Sequence, residues 1–198
     1  MRFSLLFAVV LASLMTLDPA IAPAQEAASS ESPDVGEVAP DFALPGATRY
    51  GPLREPARLS DYQGKTVVLA FFPRARTKGC TVQMETYRDQ YATLFNNGKD
   101  VIVIAASVDP DTILASWARD SNFPMLFVSD VDGVAGRSYG AFDAQRKLDR
   151  RALFVIGPDG RVVYRAIPFR EMTEEAYIEL GKAVASSRGP KSREPKSR

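Results

Sequence analysis

The reactive group that stands out in this sequence is a thiol. Cys80 lies in the run Phe71-Phe72-Pro73-Arg74-Ala75-Arg76-Thr77-Lys78-Gly79-Cys80-Thr81 and is the one cysteine among 198 residues. The chain has no histidine. Without His, the Ser-His-Asp and Cys-His nucleophile arrangements, HExxH zinc proteases and His-ligated haems are all removed. With one Cys, so are iron–sulfur clusters, four-thiolate zinc sites and any disulfide within the chain. What survives is catalysis by carboxylates, Lys, Arg, Ser, Tyr or that thiol. Gly133-Val134-Ala135-Gly136 lacks the Lys-Ser/Thr that follows a phosphate-cradling loop, so it reads as a turn. Neither a cofactor nor a metal is expected.

A lone cysteine in an arbitrary globular chain is most often a small buried hydrophobe. Three features point the other way. Cys80 follows a buried strand and opens a helix, the place where open α/β sheets put their sites. A helix N-terminus stabilises a thiolate through its dipole and free N–H groups. The approach loop carries Arg74, Arg76 and Lys78, with no acid until Glu85; alternating loop charges are usually just solvated, so this support is weak. Lowering a thiol pKa by two units takes about 2.7 kcal/mol. A helix end supplies typically ~0.3–1 and at most ~2 kcal/mol. A guanidinium close to the sulfur is the natural second contributor.

The positioning elements follow from the apolar pattern. Residues 67–72 and 101–106 are continuous apolar, β-branched runs, the mark of strands covered on both faces. Residues 80–96 form a helix between them, ended by Asn96-Asn97-Gly98. Two buried strands joined by one helix make a βαβ unit with parallel strands. Asp109 as N-cap and Pro110 in the first turn open the next helix, with Ile113, Leu114, Trp117 and Ala118 on one face. A short strand spans 125–128. Residues 152–156 and 162–167 form a hairpin around Gly157-Pro158-Asp159-Gly160. Thr173-Glu174-Glu175 opens the last helix, with acids where the dipole favours them. The sum is an α/β fold, a thioredoxin-like three-layer sandwich with a mixed central β-sheet.

The two ends read differently. Residues 1–24 have the pattern of a secretory signal peptide: Arg2, an apolar run over 3–17, then Ala22-Pro23-Ala24 as a small-residue cleavage site. The run is short of the ~20 residues that span a bilayer. An uncleaved anchor is the alternative, and with no cysteine after the run a lipid anchor is excluded. Residues 25–35 read as a flexible leader, 36–187 as the folded domain and 188–198 as a disordered basic tail with a repeated PKSR. The chain carries +1 overall and the tail holds five cations against one acid, so the body is mildly acidic. An acidic body is a poor nucleic-acid binder. The expected protein is exported to a periplasm, with no stable membrane insertion after signal removal.

Pro73-x-x-x-Thr77-x-x-Cys80 resembles the peroxiredoxin active-site pattern, P-x-x-x-[TS]-x-x-C. Ala39-Pro40-Asp41-Phe42-Ala43-Leu44, Leu59-Ser60-Asp61-Tyr62-Gln63-Gly64-Lys65, Cys80-Thr81-Val82-Gln83, Phe123-Pro124-Met125-Leu126, Ser129-Asp130 and the run from Arg151 through Gly160 are similar to the same family, in the family's order, across about residues 36–185. The branch it resembles most is the bacterioferritin-comigratory, or Q-type, peroxiredoxins of the alkyl-hydroperoxide-reductase C and thiol-specific-antioxidant superfamily. The resemblance implies a thiol-dependent peroxidase acting on hydrogen peroxide and organic hydroperoxides. Cys80 would be the peroxidatic thiolate, which becomes a sulfenic acid. Thr77 would hydrogen-bond thiolate and peroxide, and Pro73 would shield the site and shape its loop. Arg151 would bind the thiolate and stabilise charge on the leaving oxygen, with Arg150 as the alternative.

Two departures matter. Many Q-type members carry a resolving Cys five residues after the first, where this chain has Glu85. The sulfenic acid must then meet an external thiol (thioredoxin-like, glutaredoxin-like or small), or the Cys80 of a second subunit. Lys78 replaces a proline common in the family, which bears on loop stiffness. A monomer or a homodimer fits this reading. One rival is an exported thioredoxin-like thiol-disulfide oxidoreductase, which needs C-x-x-C, and here Thr77 stands where the first of the pair would be. The other is a non-catalytic thioredoxin-fold binding module, which gives Pro73, Thr77 and Arg151 no reason to accompany Cys80.

Overall fold

The computed structural model describes residues 32–188. The signal-peptide reading of 1–24, most of the leader and nearly all of the basic tail lie outside the described residues. The strands are β1 (Ala43–Leu44), β2 (Gly46–Thr48), β3 (Gly51–Pro52), β4 (Ala57–Arg58), β5 (Thr66–Phe71), β6 (Val101–Ser107), β7 (Leu126–Ser129), β8 (Phe142–Asp143), β9 (Leu148–Asp149), β10 (Ala152–Ile156) and β11 (Val162–Ala166). The helices are α1 (Lys78–Asp89), α2 (Tyr91–Phe95), α3 (Asp111–Asp120), α4 (Val134–Ser138) and α5 (Glu174–Ser187).

Seven strands form one mixed sheet in the order β11-β10-β5-β6-β7-β2-β3. β5 runs parallel to β6 and antiparallel to β10, and β6 runs parallel to β7. The continuous apolar runs occupy the middle of the sheet because alternate residues point to opposite faces and both faces are dry. Val68, Ala70 and Phe72 join a cluster with Met84, Tyr87, Leu94, Trp117 and Leu180 from the long helices. Val67, Leu69 and Phe71 join another with Phe42, Leu44, Leu59, Ala135 and Tyr139. Helices α1, α2, α3 and α5 therefore form one outer layer, and the N-terminal segment with α4 forms the other. This is the expected three-layer α/β sandwich.

Four local expectations change. The helix over 80–96 begins two residues earlier and breaks at Gln90 (φ −105°, ψ 20°). The break turns the chain so that Leu94 and Phe95 are buried, with Phe95 edge-on to Tyr87 at 5.2 Å between ring centroids. Asp109 does not cap α3, whose N-cap is Pro110; its carboxylate faces the Cys80 loop instead. The 133–136 segment is not only a turn. Gly133, at φ +64°, leads into α4, and the Asp130 carboxylate accepts the N–H groups of Ala135 (3.2 Å) and Gly136 (2.6 Å). That carboxylate does the work of a cap from three residues before Gly133. The ordered fold also begins before residue 36, since Asp34 pairs with Arg165 at 2.5 Å and the Pro33 carbonyl accepts from Arg165 Nη1 at 3.3 Å.

Candidate active site

The chain leaves β5 through Phe72, makes a tight loop over 73–77 and enters α1 at Lys78. Pro73 is half-buried at the junction of strand and loop. The loop is pinned from below: Ala75 N–H donates to Asp109 Oδ2 at 2.7 Å, and the Ser107 hydroxyl donates to the same oxygen at 3.0 Å. The Ser129 hydroxyl holds the Asp109 carbonyl at 2.8 Å. All three side chains are buried. Arg76 takes a left-handed backbone, φ +64°, and its guanidinium reaches away to Asp120 (2.5 Å) and Ser116 (3.1 Å). Asp109→Ala removes the acceptor and leaves the Ala75 amide unpaired. We expect it to cost about 1–3 kcal/mol in urea unfolding and to slow thiol oxidation through a looser loop.

Cys80 occupies the first turn of α1, where backbone N–H groups lack intrahelical partners and the helix field is positive. Its side chain is buried, at 1% exposure. Thr77 is the N-cap residue, and its carbonyl accepts the first helical bond from Thr81 N–H at 2.8 Å. Its hydroxyl donates to the Arg74 carbonyl at 3.0 Å rather than to the thiol. The expected Thr77 bond to sulfur is absent from this arrangement.

Arg151, at the entrance to β10, is the guanidinium that reaches the sulfur. Its Nη2 donates to Cys80 Sγ at 3.5 Å, and its Nη1 donates to Gln83 Oε1 at 2.5 Å. Its Nε sits 3.0 Å from Glu171 Oε2. Gln83 is held in turn by donating Nε2–H to the Tyr87 hydroxyl at 2.9 Å. Burial pushes the Tyr87 phenol above its ordinary pKa, so it stays neutral. Phe169 N–H donates to the Arg151 carbonyl at 3.1 Å, which ties the loop after β11 to the site. Arg150 is exposed and makes no bond to the sulfur. Of the predicted residues, Cys80 and Arg151 meet directly, Thr77 and Pro73 frame the loop, and Arg74, Arg76 and Lys78 do not bond the sulfur.

Gln83, Glu171, Asp109 and Gly79 were not among the site residues expected from the sequence. Gln83 had a detectable signal, one helical turn after Cys80 on the same face. Gly79 matters by what it lacks. A Cβ there would stand 2.7 Å from Glu171 Oε1 and 3.1 Å from Arg151 Nη2. Gly79→Ala gains helix propensity, ~1 kcal/mol over glycine, but it must displace the Glu171 carboxylate. It should also push the guanidinium off the sulfur, and we expect a drop of about tenfold or more in the rate of reaction with peroxide. Equal rates for parent and variant would show that Arg151 tolerates the displacement.

Residues 35–165 match the model of the AhpC/TSA family. The chain is 26% identical over 155 residues to the peroxiredoxin Bcp of Bacillus subtilis, covering 74% of this chain and 94% of that protein. It is 32% identical over 148 residues to the alkyl hydroperoxide reductase E of Mycobacterium tuberculosis, covering 73% and 89%. Among solved structures, peroxidoxin BcpB from M. tuberculosis superposes with a TM-score of 0.66 at 26% identity, covering 78% of this chain and 97% of that one. Enterococcus faecalis AhpC shares the fold, with a TM-score of 0.67 at 20% identity over 77% and 91%. With a guanidinium on a helix-start thiol, and with most of its described length inside the family match, the chain belongs to the AhpC/TSA family.

Proposed function

We propose that this chain is a peroxiredoxin working by a one-cysteine cycle, a thiol-dependent peroxidase for hydrogen peroxide and organic hydroperoxides. The observation that carries the reading is the 3.5 Å approach of Arg151 Nη2 to Cys80 Sγ at the start of α1. The Cys80 thiolate attacks one peroxide oxygen, forming an S–O bond as the O–O bond breaks. The departing alkoxide or hydroxide, stabilised by the Arg151 guanidinium, takes up a proton. Sulfur, oxidised by two electrons, is left as a sulfenic acid. Glu85 stands where a resolving thiol would be, and the chain has no second cysteine. An external thiol therefore condenses with the sulfenic acid, releasing water and leaving a mixed disulfide, which a second thiol reduces. Because Cys80 is 1% exposed, a protein reductant reaches it through local opening of the first turn of α1. The reductant class is thioredoxin-like, glutaredoxin-like or a small thiol. Residues 1–24 support export to a periplasm, the compartment in which this peroxidase would act.

The test is intact mass after one equivalent of hydrogen peroxide without thiol. The monomer should gain one oxygen on Cys80, with Cys80→Ser as the inert control. Rapid and complete conversion to a Cys80–Cys80 dimer would replace external resolution with resolution between subunits. Peroxide loss by Cys80→Ser at the parent's rate would remove the thiol from the chemistry altogether.

A further inference from the structure

Glu171 is built into the site more firmly than an incidental ion-pair partner. The loop carrying it is tied at three points: Phe169 N–H on the Arg151 carbonyl (3.1 Å), the Tyr177 hydroxyl on the Glu171 carbonyl (2.8 Å) and the Thr173 hydroxyl on the Arg170 carbonyl (3.0 Å). One carboxylate oxygen lies 3.0 Å from Arg151 Nε, with the two side chains only 13% and 19% exposed. The other crowds the space above Gly79, beside Cys80 in the first turn of α1. The guanidinium that faces the sulfur is thus already shared with an acid fixed in the same poorly hydrated place. A carboxylate there opposes any second anion nearby, whether that anion is the Cys80 thiolate or the sulfenate that follows it.

The sulfenate is the form with the larger consequence. Attack on the first peroxide is Cys80–S⁻ + ROOH → Cys80–SOH + RO⁻, the alkoxide then taking a proton from water. Loss of the enzyme is Cys80–SO⁻ + ROOH → Cys80–SO₂⁻ + ROH, in which the sulfenate sulfur gives up two more electrons and the peroxide is reduced. With no resolving cysteine in the chain, the sulfenic acid must wait for an outside thiol, and only its ionised form attacks efficiently. We propose that Glu171 is a positioning residue that braces Arg151 while holding down negative charge at Cys80 Sγ, slowing first attack and sparing the sulfenic acid from conversion to sulfinic acid. This rests on the one-cysteine peroxidase reading.

The experiment has two readouts on the full chain and its Glu171→Gln and Glu171→Asp variants. The first is the pH profile of Cys80 alkylation by iodoacetamide, which does not depend on peroxidase activity. Glu171→Gln keeps an acceptor for Arg151 Nε but removes the charge, and its midpoint should move about one unit toward acid, tenfold in the ionisation constant. Glu171→Asp, which keeps the charge, should stay with the parent. The second is sulfinic acid formed per turnover, read by intact mass during cycling with dithiothreitol and excess hydrogen peroxide. It should rise about tenfold in Glu171→Gln and stay at the parent level in Glu171→Asp. An unchanged or more alkaline midpoint in Glu171→Gln reduces Glu171 to a brace and overturns the proposal, as does an acid shift without extra sulfinic acid. A parent that loses no peroxide to Cys80 brings down the peroxidase reading instead, while the alkylation profile still passes or fails the charge argument.

Discussion

Replacing Arg151 with alanine is expected to lower the second-order rate of Cys80 oxidation by about 10²–10³, the loss typical of removing a preorganised donor from a developing anion. Three changes act in the same direction. The donor 3.5 Å from Sγ disappears. Gln83 Oε1 loses its 2.5 Å partner and is left buried without a donor. Glu171, at 19% exposure, loses the counter-charge it shared with the sulfur. Arg151→Lys restores a charge but cannot bond Gln83, Glu171 and Cys80 together, because an ammonium is a point donor and a guanidinium a fork; its recovery should be partial. Arg150→Ala should stay within about threefold of the parent, as expected for a surface side chain away from the chemistry. The measurement is stopped-flow oxidation at fixed pH, with circular dichroism to verify the fold. A larger loss in Arg150→Ala than in Arg151→Ala would shift the assignment by one residue along the strand.

What the sequence disclosed and what it hid follow from the range of the interactions. Residues 67–72 and 101–106 announced buried central strands because a strand dry on both faces has no room for polar alternation, and β5 and β6 are those strands. Cys80 declared itself through spacing, since strand, loop and helix start are contiguous in the chain. The break at Gln90 was invisible because no Gly or Pro marks it. It comes from packing of Leu94 and Phe95 that only the assembled layers provide. Glu171 and Asp109 were hidden for the same reason: each acts on a residue 20 or more positions away, and no local pattern says which acid will face which loop. Even Gly133 and Gly136, read as turn formers, prove to be close-contact positions. A Cβ on the first would overlap the Phe142 ring, and one on the second the Asp149 carboxylate.

Asp149 leads to the second large effect, on stability rather than rate. It lies in β9, fully buried, with neither carboxylate oxygen hydrogen-bonded. Burial, and next the neighbouring Asp130, push its pKa up to about 8, while Arg137 pulls weakly the other way. Asp130 is itself raised by burial but is rescued by N–H groups of α4, so it keeps the better claim to the negative charge. In the unfolded chain an aspartate titrates near ~3.9. Between these values the native state holds a proton that the unfolded state has released. This contribution to stability is therefore complete below about pH 4 and is lost as pH rises through about 8. Urea midpoints of the parent should fall between pH 5 and pH 9, by an amount on the order of a few kcal/mol in unfolding free energy. Asp149→Asn keeps the shape, cannot ionise and offers an N–H toward Asp130. Its midpoint should be nearly flat over the same range and should exceed the parent's at pH 9. Taking the difference between the two proteins at each pH cancels the titration of shared groups remote from Asp149. Profiles that superimpose would mean that Asp149 is ionised in the native protein at neutral pH, with a counter-charge supplied by the surrounding residues after relaxation.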